Sequence, residues 1–245
     1  MRRTAQASPR SLARLAVAFY FLESASSVWG QLLTIGGVVV SGDAAATANN
    51  ILANEPVFRL AIAASILAVV FHLVVAVLFY DLFKPVGRST SLLAVLFLVV
   101  ACGIQAFAAL LPVGALVVLG GTRAFSAFTV DQLQAVALML LNWNSQAYNT
   151  YLVFFGCWCI AIGYLTFRST FLPRVLGIGM ALAGLGYTVY LYRPLAQAVS
   201  PYNLALGVGE LALLLWLAFR GVNAERWTDL AQAHGRSGPS AFPGG

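Results

Sequence analysis

Charge is scarce in this chain. Only 9% of its 245 residues are Asp, Glu, Lys or Arg, against about a quarter in an average soluble domain. So few charges cannot cover a water-facing surface, so lipid is the expected solvent for most of the chain. Histidine occurs twice and cysteine three times. Cys102, Cys157 and Cys159 all fall in apolar stretches. Cys157 and Cys159 would point about 200° apart on a helix and cannot grip one metal ion together. Buried cysteine usually packs as a small hydrophobe, and no disulfide framework follows. No lysine interrupts an apolar stretch, which excludes a retinal Schiff base. There is no phosphate loop, HExxH, GxSxG or Ser–His–Asp set at usable spacing. No cofactor and no metal site are expected.

What the chain has is apolar length: 60% of its residues are hydrophobic and its mean hydropathy is +0.86. A crossing needs about 20 apolar residues, because a helix rises about 1.5 Å per residue through roughly 30 Å of hydrocarbon. Six stretches qualify or come close: Leu15–Val39, Phe58–Tyr80, Leu92–Val118, Tyr148–Phe167, Val175–Leu191 and Asn203–Phe219. The basic residues alternate between the connectors. Arg2, Arg3, Arg10 and Arg14 precede the first stretch, Lys84 and Arg88 follow the second, Arg168 and Arg174 join the fourth and fifth, and Arg220, Arg226 and Arg236 follow the last. Only Arg59, Arg123 and Arg193 fall on the other side. By the positive-inside rule the richer side is cytoplasmic. The expected fold is therefore all-α, a polytopic six-transmembrane-helix bundle with both termini cytoplasmic, in the cytoplasmic membrane of a bacterium. Residues 1–11 would form a cytoplasmic segment, 12–221 the membrane domain and 222–245 a disordered cytoplasmic tail. The juxtamembrane cations favour anionic lipid headgroups, not nucleic acid; a homo-oligomer is compatible with the pattern. The N-terminus imitates a signal peptide, but Glu23 ends its would-be core and hydrophobicity resumes through Val40, as in a retained span.

Between the spans the punctuation is local. Asp43 is placed to cap an external helical segment near 43–54 that Pro56 ends. Lys84-Pro85-Val86-Gly87 reads as a stop and turn. Pro112 interrupts the third span and should kink it unless a neighbour satisfies the carbonyl it frees. Thr129 and Gln132 form a capping box that opens an amphipathic helix near 130–146. Continued to Phe167, that helix would reach roughly 57 Å, so a bend or protrusion is expected near Asn142–Tyr148. Gly177 and Ala181, Gly179 and Ala183, and Ala205 and Gly209 are small pairs that permit close helix packing in lipid. In the tail, an amphipathic turn around Trp227 and Leu230 precedes a Gly-, Ser- and Pro-rich end.

Three ionisable residues lie inside the spans: Glu23, His72 and Glu210. Each is costly in hydrocarbon and should turn inward, toward a partner or a water pocket. Glu23 and His72 fall at nearly one depth, roughly 5–6 Å to the cytoplasmic side of the midplane, on consecutive antiparallel spans, which predicts a pair. Glu210 would extend it, with Gln105, Ser24, Ser26 and Ser27 nearby. A carboxylate beside an imidazole can exchange protons or hold a polar ligand; equally, it can do no more than lock two helices. A second candidate is an outer-mouth cluster of Asn142, Asn144, Gln146 and Asn149 among Trp143, Tyr148 and Tyr151, which reads as a ligand entrance or as interfacial anchoring. Tyr187, Tyr190, Tyr192 and Tyr202 read as anchors too.

The string Gly163-Tyr164-Leu165, Phe167-Arg168-Ser169, Phe171-Leu172-Pro173-Arg174, Leu176-Gly177 and Ala183-Gly184-Leu185-Gly186-Tyr187 resembles the signature of a bacterial family of six-span membrane proteins, catalogued only as a domain of unknown function. Gly42-Asp43-Ala44-Ala45-Ala46-Thr47, Phe58-Arg59-Leu60 and Lys84-Pro85-Val86 fit the same pattern, which covers about residues 11–221. The resemblance implies six helices and brings no activity. In that pattern an acidic residue often stands at the place of His72, and charged residues at those of Leu98 and Ala101, so a charged network of that kind is altered here. The leading expectation is a non-enzymatic membrane protein that binds or moves a small apolar or amphipathic molecule through an intramembrane polar pocket. The alternatives are a structural or partner-binding protein, and an intramembrane enzyme with the Glu–His pair as general base, for which no electrophile site is apparent.

Overall fold

The computed structural model describes residues 8–121, 125–200 and 205–236. Arg2, Arg3, Arg123, Tyr202 and the tail beyond Arg236 lie outside the described residues. All regular elements among the described residues are helical. In order they are α1 (Pro9–Ser27), which passes into a π-helix (Val28–Ile35), α2 (Ala44–Ala53), α3 (Glu55–Phe83), α4 (Arg88–Leu119), α5 (Val130–Arg168), α6 (Arg174–Thr188) with a 3-10 extension (Val189–Leu191), α7 (Arg193–Val199), α8 (Val208–Phe219) and α9 (Ala224–Arg236). Four of them are long and apolar enough to cross a membrane: α3, α4, α5 and α6 with its extension.

The local signals act as their chemistry requires. Asp43 Oδ1 accepts from the Ala46 N–H at 2.8 Å and starts α2. The Thr129 N–H donates to Gln132 Oε1 at 2.9 Å while the Gln132 N–H donates to Thr129 Oγ1 at 3.3 Å, a reciprocal box that starts α5. The amphipathic stretch near 130–146 is not a separate helix but the first part of α5. No break occurs at Asn142–Tyr148: neither Pro nor Gly stands between Val130 and Phe155, so nothing there interrupts the ladder. Pro56 falls in the first turn of α3, where a missing N–H leaves nothing unsatisfied.

Two expectations need correction. The sixth stretch, Asn203–Phe219, is broken by a turn at Leu206–Gly207, and the helix that follows has 12 residues, a rise of about 18 Å. The first begins earlier than expected, at Pro9, and changes to π geometry at Val28. The tail also differs: Ala224–Arg236 is a helix, where disorder is expected from 222 onward.

By chain packing the protein divides into two units. One comprises residues 1–18, 75–97 and 155–245. Within it a basic end is held together by hydrogen bonds. Trp227 Nε1 donates to the Leu82 carbonyl at 2.8 Å, and Arg226 Nη1 to the Thr170 carbonyl at 3.1 Å. The Asn223 N–H donates to the Phe171 carbonyl at 3.2 Å, and Arg10 Nε to the Val222 carbonyl at 3.4 Å. The start of α1, the end of α3, the α5–α6 connector and the start of α9 are thus on one end. Cations stand over aromatic rings at this end, Lys84 over Tyr80, Arg168 over Tyr164 and Arg220 over Trp216. Such pairs suit side chains whose stems lie in apolar surroundings and whose heads reach water. α6 sits between α5 and α8 on glycine. A Cβ on Gly163 would come within 2.7 Å of the Ala181 nitrogen and the Gly177 oxygen. On the opposite face of α6, Gly179 meets Gly209.

The other unit comprises residues 19–74 and 98–154. Ile35, Ile51, Phe58, Ala61, Ala115, Ala137 and Leu141 form a buried core that seats α2 on α3, α4 and α5. Thr47 Oγ1 accepts from the Val40 N–H at 3.0 Å, and Asn50 Nδ2 donates to the Val38 carbonyl at 3.2 Å, so α2 is packed, not a loose spacer.

Gly163→Val is expected to destabilise the fold by about 1–3 kcal/mol, the usual effect of overpacking. Gly103→Ala, where a Cβ meets nothing within 4 Å, is expected to leave stability unchanged or slightly raised. Reversible unfolding in detergent measures both, and equal midpoints for the two variants would contradict the packing described.

Candidate functional site

The second unit carries its polar groups inside and its apolar groups outside. Leu67, Val70, Phe107 and Leu110 are half exposed or more, whereas Glu23, Gln31, Ser65, His72, Gln105 and Asn144 are buried. A soluble domain sorts the other way. The inversion fits a helical body solvated by lipid, in which polar side chains turn toward one another.

The polar groups form a stripe. Tyr20, Glu23, Ser27 and Gln31 recur at three- and four-residue spacing and are all buried, which puts them on one helical face. The change to π geometry occurs within this stripe, where Gly30 lets the chain approach α3: a Cβ there would come within 2.6 Å of the Ala61 carbonyl oxygen. Asn144, Tyr148 and Tyr151 recur in the same way on α5. Ser27 Oγ and Tyr148 Oη share a hydrogen bond of 3.0 Å, and the Tyr148 and Tyr151 rings lie 5.0 Å apart.

At one end of the stripe two amides pair reciprocally. Gln31 Nε2 donates to Asn144 Oδ1 at 2.6 Å, and Asn144 Nδ2 donates to Gln31 Oε1 at 3.3 Å. The other proton of Asn144 Nδ2 goes to the Ala108 carbonyl at 2.8 Å. Ala108 stands four residues before Pro112, inside α4. Its carbonyl is the one that proline leaves without an intrahelical donor. The helix continues through Pro112 with that carbonyl satisfied from α5.

Toward the other end is the charged centre. Glu23 Oε1 lies 3.5 Å from His72 Nδ1, and neither side chain is more than 5% exposed. Ser24 Oγ donates to Glu23 Oε2 at 3.3 Å. The imidazole sits between the rings of Tyr20 and Tyr151, each with its centroid 6.1 Å away. Gln105 approaches the imidazole from α4, while its Oε1 is buried without a hydrogen bond of good geometry. Cys102 is buried one turn earlier on the same helix. Carboxylate, imidazole and amide thus offer acceptors and exchangeable protons in one place, between two aromatic walls.

Of the residues singled out from the sequence, Glu23, His72 and Gln105 come together here. Glu210 belongs to the other unit, half-buried, where Tyr187 Oη donates to its Oε2 at 2.8 Å and the Phe155 ring packs on Tyr187 at 5.3 Å. Tyr187 therefore holds α8 to α6 and is not only an anchor. The four amides of the supposed mouth do not act together. Asn142 and Gln146 are exposed, Asn149 is half-buried, and Asn144 turns inward to Gln31. Tyr20 and Gln31 are the members that sequence reasoning missed. The signal was present: both keep the spacing of Glu23 and Ser27, and Pro112 called for a donor to Ala108.

Residues 15–221 match the model of a family described as Domain of unknown function (DUF4386). The chain belongs to that family. The matched region takes in both units' helices from α1 to α8 and every member of the polar stripe. An uncharacterized protein of Archaeoglobus fulgidus is 25% identical over 159 residues, which cover 63% of this chain and 80% of that protein. No solved structure matches the chain. In this DUF4386 chain the amide pair has a measurable consequence. Gln31→Leu strips Asn144 of its reciprocal partner inside an apolar bundle and is expected to lose about 1–3 kcal/mol. Gln146→Leu, on the exposed side of α5, is expected to stay within about 0.5 kcal/mol of the parent. Unfolding midpoints in detergent decide, and a Gln31→Leu loss no larger than that of Gln146→Leu would sink the assignment.

Proposed function

We propose that this is a polytopic protein of the bacterial cytoplasmic membrane that crosses six times with both termini in the cytoplasm. In this reading it binds or moves a small amphipathic molecule, whose polar group meets Glu23, His72 and Gln105. The observation that carries the ligand reading is the convergence of those three side chains, from α1, α3 and α4, between the Tyr20 and Tyr151 rings. Groups of this kind are costly in hydrocarbon and mark paths or binding sites in membrane proteins. A few polar groups set in an apolar, aromatic surround is also the usual make-up of a small-molecule site. The topology is supported by the basic end, where Arg10, Arg226 and Trp227 bind the chain at Val222, Thr170 and Leu82. With that end in the cytoplasm, the positive-inside rule is obeyed. The first and sixth crossings are then the mixed α1–π helix and the short α8 together with the residues before it.

A second reading is favoured by the neighbouring amide pair. Gln31 and Asn144 bind each other and a freed carbonyl, which is a locking role, and Glu23 with His72 could serve the same purpose without a ligand. The double variant Glu23→Leu with His72→Leu separates the two. A buried ion pair replaced by apolar residues of similar volume commonly keeps or gains stability, so the folded protein remains available for assay. Native mass spectrometry of protein extracted from its own membrane is expected to show a bound small molecule in the parent. The folded double variant is expected to lose it. A parent without any bound mass, or equal occupancy in both proteins, would overturn the ligand reading.

A further inference from the structure

The basic end of the first unit contains a groove of about 560 Å³ that the proposed ligand centre does not use. Its walls come from four places in the chain: Arg10 at the start of α1, Phe171 in the α5–α6 connector, Trp216 and Arg220 at the end of α8, and Glu225 in the first turn of α9. Arg10 uses Nε on the Val222 carbonyl at 3.4 Å, which fixes the guanidinium while its two terminal nitrogens make no hydrogen bond or ion pair among the described residues. Arg220 lies with its guanidinium 5.3 Å from the centre of the Trp216 ring. Stacking engages the face of a guanidinium and leaves its N–H edge open. Arg220, too, has no ion pair among the described residues. Two guanidinium groups with open edges on one groove make a receptor for a phosphate, since each can offer parallel N–H donors to its oxygens.

The other walls say which kind of phosphate. Phe171 is buried, and the Trp216 ring adds a second apolar wall. Phe219, at the end of α8, is 80% exposed, where an apolar helix ends. The groove therefore pairs a cationic lip with an apolar flank at the level where a lipid's phosphate meets its chains. Basic pockets between helices on the cytoplasmic side bind such headgroups. Glu225 on the rim can accept a hydrogen bond from a headgroup hydroxyl. We propose that this groove is a specific site for the phosphate of an anionic phospholipid of the cytoplasmic leaflet, held by Arg10 and Arg220.

The test uses the full chain in nanodiscs of phosphatidylcholine doped with phosphatidylglycerol, with retained lipid read by native mass spectrometry. The parent is expected to retain phosphatidylglycerol preferentially. Arg10→Gln with Arg220→Gln is expected to lower that preference about twentyfold, at about fivefold for each arginine near an anionic surface. Arg14→Gln with Arg88→Gln removes the same charge from exposed positions outside the groove and is expected to leave most of the preference in place. Equal losses in the two double variants would show a diffuse cationic rim and overturn the site, as would a parent with no preference. Displacement of the lipid by millimolar inorganic phosphate would overturn the lipid assignment and make soluble phosphate the occupant. Should the double variant not fold, Arg220→Lys reads the same contact: it keeps the charge but loses the fork, and an unchanged preference there would overturn the two-pronged grip.

Discussion

Pro112 has no N–H to give to the carbonyl of Ala108, and in an apolar bundle a carbonyl without a donor is costly. The chain meets that demand from α5, where Asn144 supplies one amide proton to Ala108 and the other to Gln31. This contact constrains much else in its unit. It requires Asn144 to face inward, which settles the rotation of α5 and turns Tyr148 and Tyr151 toward the same side. It requires Gln31 to be buried, which settles the rotation of the π-helix and with it Ser27, Glu23 and Tyr20 one, two and three turns back. A proline in one helix thereby fixes which face two other helices present to the Glu23–His72 centre.

The same physics orders the first unit with different parts. There the helices approach through glycine, Gly163 on Gly177 and Gly179 on Gly209, and a single polar contact, Tyr187 to Glu210, joins α6 to α8. Close backbone approach compensates for the absence of a hydrophobic driving force between helices in lipid. At the basic end, polar contacts return because water is near. Side-chain donors from Arg10, Arg226 and Trp227 reach carbonyls at loop and helix ends, which are the groups a helix leaves unsatisfied.

What the sequence made legible was local or could be reduced to depth. The Asp43 cap and the Thr129–Gln132 box involve residues within four of each other, so spacing alone identifies them. Glu23 and His72 could be matched because rise per residue converts position into depth on antiparallel neighbours. Facing could not be read this way. Glu210 has a suitable depth, but its partner is Tyr187, and nothing in its spacing says so. Asn144 stood in a polar run that looked like an entrance, and only the position of Ala108 shows which of its neighbours turns inward. The tail helix was illegible for a different reason: its composition is polar, and it is held by Trp227 on the end of α3, a contact 145 residues away in sequence. The turn at Leu206–Gly207 inside the last apolar stretch was hidden because hydropathy averages over it.

The central claim is that Asn144 is present to satisfy the carbonyl that Pro112 frees. A double-mutant cycle tests it most directly, since Pro112→Ala returns an N–H to Ala108 and removes the need for an outside donor. Unfolding free energies in detergent would be measured for Asn144→Leu, Pro112→Ala and the two combined. The account predicts that Asn144→Leu loses about 1–3 kcal/mol with Pro112 present and a much smaller amount with Ala at 112, so that the two changes couple. Equal losses in both backgrounds would contradict it.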